Sequence, residues 1–176
     1  MKAFLAFLLL LAVGPATAQT VTSAQSKVAV IFSSATLQGN GADTTEDALS
    51  AYTGTVFLAN VGDVVHFTAR GVSLGSTDSK SIRLKLGGTT ACTATNAAAG
   101  NTTWYFDCWI LKTGSNTQSA WFFNNNATNN VASSLNSITV TDNVSLTVNV
   151  TAQNATAGTA NSIQIQAGFA HYFPAQ

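Results

Sequence analysis

The chain has 176 residues, of which only 8% are charged, and its seven Lys and Arg balance its seven Asp and Glu. An average soluble domain carries about 25% charged residues, and so sparse a charge lacks the electrostatic footprint that nucleic acid or anionic lipid requires. The polar positions are filled by Thr, Ser, Asn and Gln, a β-compatible surface suited to secreted sandwiches and to shells or fibres whose copies pack without like-charge repulsion.

Residues 1–18 contain one Lys, an apolar run from Ala3 to Val13, a Gly14-Pro15 break and the small-residue site Ala16-Thr17-Ala18. This is the layout of a secretory signal peptide, and the run is about half of the roughly 20 apolar residues that span a bilayer. Cleavage leaves Gln19 first, and the expected product is extracytoplasmic with no membrane or nucleic-acid partner. Residues 19–46 are expected as an N-terminal strand and loop, forming one domain with a sandwich body at 47–176.

The first strand candidate is the β-branched run at 27–32. The segment 27–37 can complete a sheet edge in its own subunit or in a neighbour, because an unpaired edge offers backbone donors and acceptors to any extended chain. Val28, Val30 and Phe32 are the expected contact residues of a homo-oligomer. The loop at 38–47 gathers Asp43, Glu46 and Asp47. Calcium takes several oxygen ligands from such loops, but the Asp-x-Asp-x-Asp-Gly order is missing, so a solvated loop without metal is expected.

A strand around Tyr52, Val56 and Phe57 leads to the central stretch, where alternation is clearest. In 64–71, Val65, Phe67 and Ala69 share one face, with His66, Thr68 and Arg70 on the other. In 80–87, Ile82, Leu84 and Leu86 alternate with Ser81, Arg83 and Lys85, whose cations are expected to point at water. In 103–111, Trp104, Phe106, Cys108 and Ile110 face one way and Tyr105, Asp107, Trp109 and Leu111 the other, which predicts a central strand covered on both sides.

An oxidising destination makes pairing of Cys92 and Cys108 the default. A hairpin of 89–95 with 103–111, turning at 97–101, would set the two directly opposite each other. Two free buried thiols are the rival reading, and the two Cys and two His have no zinc spacing.

A turn at 113–116 returns the chain through 117–123, followed by an Asn-rich loop at 124–130 and a short strand at 137–141. Val144, Leu146, Val148 and Val150 mark the next strand. In the last, 162–173, Ile163, Ile165, Ala167 and Phe169 share a face, and a bulge is expected at Gly168, which decides which way His171 points. About nine strands with short Gly, Asn and Ser turns predict an all-β fold: a single antiparallel β-sandwich, jelly-roll-like.

Little points to catalysis. His66 and His171 have no Gly-x-Ser-x-Gly or similar motif beside them, so the chain is read as non-enzymatic and without a cofactor. Trp104 falls on the core face, whereas Trp109 and Trp121 are candidates for contact with a cell-surface glycan, through ring faces that stack on sugars. Sequons begin at Asn101, Asn126, Asn143, Asn149 and Asn154, about as many as so Asn- and Thr-rich a chain yields by chance.

Four further segments carry a family resemblance: Asn60-Val61-Gly62-Asp63-Val64; Lys80-Ser81-Ile82-Arg83-Leu84-Lys85-Leu86-Gly87-Gly88-Thr89; Ile110-Leu111-Lys112-Thr113-Gly114-Ser115-Asn116-Thr117-Gln118 with Trp104 before it; and 144–153 followed by Asn154-Ala155-Thr156-Ala157-Gly158-Thr159-Ala160-Asn161-Ser162-Ile163. On these, residues 47–173 resemble a β-sandwich domain of phage virion structural proteins of the tail-fibre and head-fibre type. The resemblance implies a structural or attachment role, usually as an oligomer, and brings no catalytic residues. The signal segment and the Cys pair depart from such virion proteins and point to a secreted relative. The function expected is that of a structural or adhesive subunit of an extracellular assembly; the alternative is a carbohydrate-binding module.

Overall fold

The computed structural model describes residues 28–75, 79–97, 102–126 and 129–176. The signal segment, Lys27, the 98–101 turn and the Asn101 sequon lie outside them. The described residues form β1 (Ala29–Ser34), β2 (Gln38–Gly39), β3 (Asp47–Val56), β4 (Val64–Ser73), β5 (Ser79–Leu86), β6 (Thr89–Ala97), β7 (Thr102–Gly114), β8 (Thr117–Asn126), β9 (Asn129–Thr139), β10 (Leu146–Asn154) and β11 (Ile163–Phe173). There are eleven rather than about nine, one of them the two-residue β2, and the expected Asn-rich loop is taken up in part by strands, 124–126 by β8 and 129–130 by β9. Asn is a poor strand former, and here register with a neighbouring strand overrides that preference.

Two antiparallel sheets pack face to face. The larger runs β1-β11-β4-β7-β8-β9, with β2 also on β11, and the smaller runs β3-β10-β5-β6. Without β2 and the β8–β9 hairpin, eight strands remain in the order first-eighth-third-sixth in one sheet and second-seventh-fourth-fifth in the other, which is jelly-roll connectivity. The hairpin widens the larger sheet by two strands, and β6 of the smaller sheet packs against both of them.

The core lies between the sheets and takes the inward residues that alternation predicts. Val65, Phe67 and Ala69 of β4, Ile82, Leu84 and Leu86 of β5, and Trp104, Phe106, Cys108 and Ile110 of β7 are all buried. The Cys92–Cys108 disulfide is present, but not as a cross-strand pair of one hairpin. Strand β6 pairs with β5 in the small sheet and β7 with β4 and β8 in the large one, so the bridge spans the core and ties the sheets together. Both cysteines point inward, and the chain crosses between layers where a hairpin was expected.

The polar residues of the four resembling segments act as structural anchors. Lys112 Nζ sits 3.1 Å from Asp142 Oδ1 and donates to Leu58 O at 2.7 Å. Gln118 Nε2 donates to Asp142 Oδ2 at 2.9 Å, and the Asp142 amide donates to Asn116 Oδ1 at 3.0 Å. Buried Asp63 accepts from the amides of Asn60 and Ala175, both at 2.8 Å, which pins the C-terminal segment. Gly87 and Gly88, with φ of 55° and 83°, make the two-residue turn of the β5–β6 hairpin. Asn154 is buried and accepts from Ser162 Oγ at 2.6 Å, so its sequon is closed in the folded chain.

Two β-bulges decide what faces outward. In β1 the register slips between Val30 and Phe32, so Val30 stays outside while Phe32 turns into the core against Tyr52 and Phe67. The three expected contact residues are thereby split: Val28 and Val30 are exposed, and Phe32 fills its own subunit. In β11 the slip lies between Ile165 and Ala167, earlier than Gly168. Ile163 and Ile165 face the core, but beyond the bulge Gly168 and Ala170 are the buried residues, and Ala167, Phe169 and His171 turn outward. One inserted residue reverses the alternation of all that follow.

Candidate functional site: the outer face of the large sheet

The two outer faces differ. On the small sheet, Arg83 and Lys85 are half-buried rather than pointing freely at water: Lys85 Nζ lies 2.8 Å and Arg83 Nη1 3.5 Å from Glu46, which also accepts from Thr151. Burial alone would raise the Glu46 pKa, but the hydrogen bonds from Lys85 and Thr151 and the two cationic charges lower it overall. Asp47 accepts from the Gly41 amide at 2.6 Å and Asp43 from the Thr45 amide at 2.9 Å. The carboxylates of this loop are thus engaged in separate local bonds.

The outer face of the large sheet carries an aromatic row. In register across six strands run Val30, His171, His66, Trp109, Trp121 and Leu135. At about 4.8 Å per strand such a row is roughly 24 Å long. Phe169 and Phe173 flank it, and its ends are open, with Val30 61% and Leu135 74% exposed. Beside the row, Tyr105 and Phe123 are also exposed. Strand β7 is central within its sheet, as expected, but among the described residues no second layer covers its outer side, and these side chains shield one another instead.

Ring orientation follows from the distances. The His66 and Trp109 rings are 3.7 Å apart and within 13° of parallel, so they overlap face to face and their normals run across the strands. Trp121 is parallel to Trp109 within 3°, at 6.2 Å. The rings therefore stand upright on the sheet and turn their edges, rather than their faces, to solvent. Trp109 and Trp121 are brought together on the open face, both half-buried, while Trp104 lies in the core.

Asp107 organises the polar part of the face. Its Oδ1 lies 3.2 Å from His66 Nε2, and its Oδ2 accepts from Tyr105 Oη at 3.0 Å. Burial, reinforced by the charge and hydrogen bond of Asp107, raises the Tyr105 pKa, so the phenol remains a donor at neutral pH. Thr68 Oγ1 approaches the same Nε2 atom of His66 at 3.5 Å. A nucleophilic relay needs acid and hydroxyl on opposite ring nitrogens, and here both meet one. Next to this group, Thr68, Arg70, Tyr105, Ala167 and Phe169 line a shallow depression of about 160 Å3.

Trp109 and Trp121 were legible in the sequence as outward candidates. Arg70, Tyr105 and Asp107 also fall on outward positions of their strands, but only the sheet order shows that they adjoin. Phe169 and His171 were obscured by the β11 bulge, which alternation alone does not locate.

The chain matches no protein-family model and no curated protein. Among solved structures it is similar to the CBM2 module of the evolved Dit of Lactobacillus casei BL23 phage J-1, with 9% identity over 70% of this chain and 69% of that one, at a TM-score of 0.41. It is also similar to a protein of unknown function from Shewanella oneidensis MR-1, with 12% identity over 85% of this chain and 77% of that one, again at 0.41.

Proposed function

We propose that this is an extracytoplasmic, non-enzymatic β-sandwich with a structural or adhesive role, a subunit of an extracellular assembly whose contact surface is the outer face of the large sheet. The observation that carries the reading is the row from Val30 to Leu135. A continuous apolar and aromatic strip on an uncovered sheet face is costly to leave in water and is typical of contact surfaces. The near absence of free charge supports it, since copies can approach without repulsion. The signal-like N-terminus, the disulfide and the resemblance to phage fibre domains agree with a role outside the cytoplasm.

The alternative, a carbohydrate-binding module, draws on the presence of Trp109 and Trp121 on this same face. Upright rings present edges, so such a ligand would lie along the row rather than flat on an indole. Electron micrographs of the purified, oxidised protein test the first reading: ordered oligomers or filaments are expected, and they should be lost on Leu135→Lys. A monodisperse monomer at every concentration, joined with glycan binding abolished by Trp109→Ala or Trp121→Ala, would move the assignment to the second.

A further inference from the structure

Among the described residues, each Lys and Arg except Arg70 is held. Lys112 pairs with Asp142, Arg83 and Lys85 pair with Glu46, and Lys80 is buried with a partner of its own. Arg70 is exposed, and the structure shows no hydrogen bond or ion pair to it. It stands between Ala167 and Tyr105 in the cross-strand register, at the rim of the depression. Because Ala167 is small where its neighbour Phe169 is large, a hollow opens between that ring, Thr68 and Tyr105. At about 30 Å3 per water it holds roughly five waters, well below the 300 Å3 or more of a typical small-molecule pocket. That is the scale of a single sugar ring.

We propose that this hollow binds a carboxylate-bearing sugar residue of an acidic saccharide, with Arg70 as the carboxylate ligand. The proposal rests on the carbohydrate-binding reading of this face and names its ligand class. A planar guanidinium takes a carboxylate through two parallel N–H···O bonds, and the apolar walls of the hollow strengthen such a pair relative to open solvent. The Phe169 and Tyr105 rings offer contact to sugar C–H groups. The apolar lining sets the orientation, with the carboxylate toward Arg70 at the rim and the C–H face of the ring over Phe169 and Tyr105. A peptide C-terminus suits the site less well, because such groups are captured by free backbone amides, whereas β4, β7 and β11 are paired with neighbouring strands here.

Titration calorimetry on the oxidised protein tests this with digalacturonate against its methyl ester, sialyllactose against lactose, and a short peptide with a free against an amidated C-terminus. Binding of at least one acidic sugar should exceed that of its neutral counterpart tenfold or more and weaken with salt. Arg70→Gln should remove that preference at unchanged melting temperature, and Arg70→Lys should restore part of it. The first two pairs separate uronate from sialate as the source of the carboxylate. Equal binding of acidic and neutral sugars, indifference to Arg70→Gln, or binding of the free-carboxylate peptide alone overturns the proposal. Neutral glycan binding lost in Trp121→Ala would overturn the Arg70 site yet leave the carbohydrate-binding reading standing; no glycan binding of any kind would count against both.

Discussion

At the scale of single residues, Asp142 and Lys112 show how a chain with few charges uses them. Burial alone pushes the Asp142 carboxyl upward, but the Lys112 ammonium, the Asn116 backbone and Gln118 outweigh it and hold its pKa below the usual carboxylate range. A carboxylate whose folded pKa lies below its unfolded value contributes stability that is complete above the unfolded value and is lost as pH falls through the folded one. Urea midpoints should therefore hold near neutrality and drop below about pH 4, the ordinary Asp range. Asp142→Ala should remove this part of the slope and cost about 3–5 kcal/mol at pH 7, because Lys112 is then buried without a counter-charge. An unfolding free energy within about 1 kcal/mol of the parent's would mean that water already shields the lysine.

At the scale of elements, the β11 bulge and Gly71 act together. Trp104 lies opposite Gly71 in register, and a Cβ at Gly71 would stand 2.3 Å from Trp104 Cζ2 and 1.9 Å from the Gln164 carbonyl oxygen. Neither the indole nor the β11 backbone has room to give way, so Gly71 is what lets both approach β4. Gly71→Ala is expected to destabilise by about 1–3 kcal/mol or more through overpacking. It should also shift the tryptophan emission, since Trp104 must move. An unchanged spectrum with unchanged stability would show that the two neighbours relax freely. The same close packing keeps β11 in the bulged register that turns Phe169 and His171 to the outside.

At the scale of the whole molecule, the Cys92–Cys108 bridge joins the two sheets across a core already dense in aromatic and β-branched residues. Its sequence separation of 16 corresponds to about 3 kcal/mol in the chain-entropy model. Replacing both cysteines by Ser should lower stability by about that much and leave the sandwich folded, with strand-type circular dichroism retained. Thiol titration of the denatured wild-type protein should find no reactive thiol, and two would refute the bridge. The N-terminal strand belongs to its own sheet in this chain, since Phe32 fills the core. Removal of residues 19–37 would therefore remove a core side chain along with the edge, and point changes such as Leu135→Lys probe assembly more cleanly.

The sequence by itself determined the all-β class, the inward faces of β4, β5 and β7 and of β10 from Leu146 on (Val144, expected inward, is exposed and lies before the strand), and the pairing of the two cysteines. Period-2 alternation is a local property that survives whatever the strands pack against, and an oxidising compartment is implied by residues that need no neighbours. It did not determine that the bridge crosses between sheets, that β8 and β9 run on into the Asn-rich tract, or that β1 and β11 reverse their faces midway. A bulge costs one residue and leaves no compositional mark, and strand order depends on contacts between distant segments. Only the tertiary structure placed Trp109 between His66 and Trp121, and left Arg70 beside a hollow.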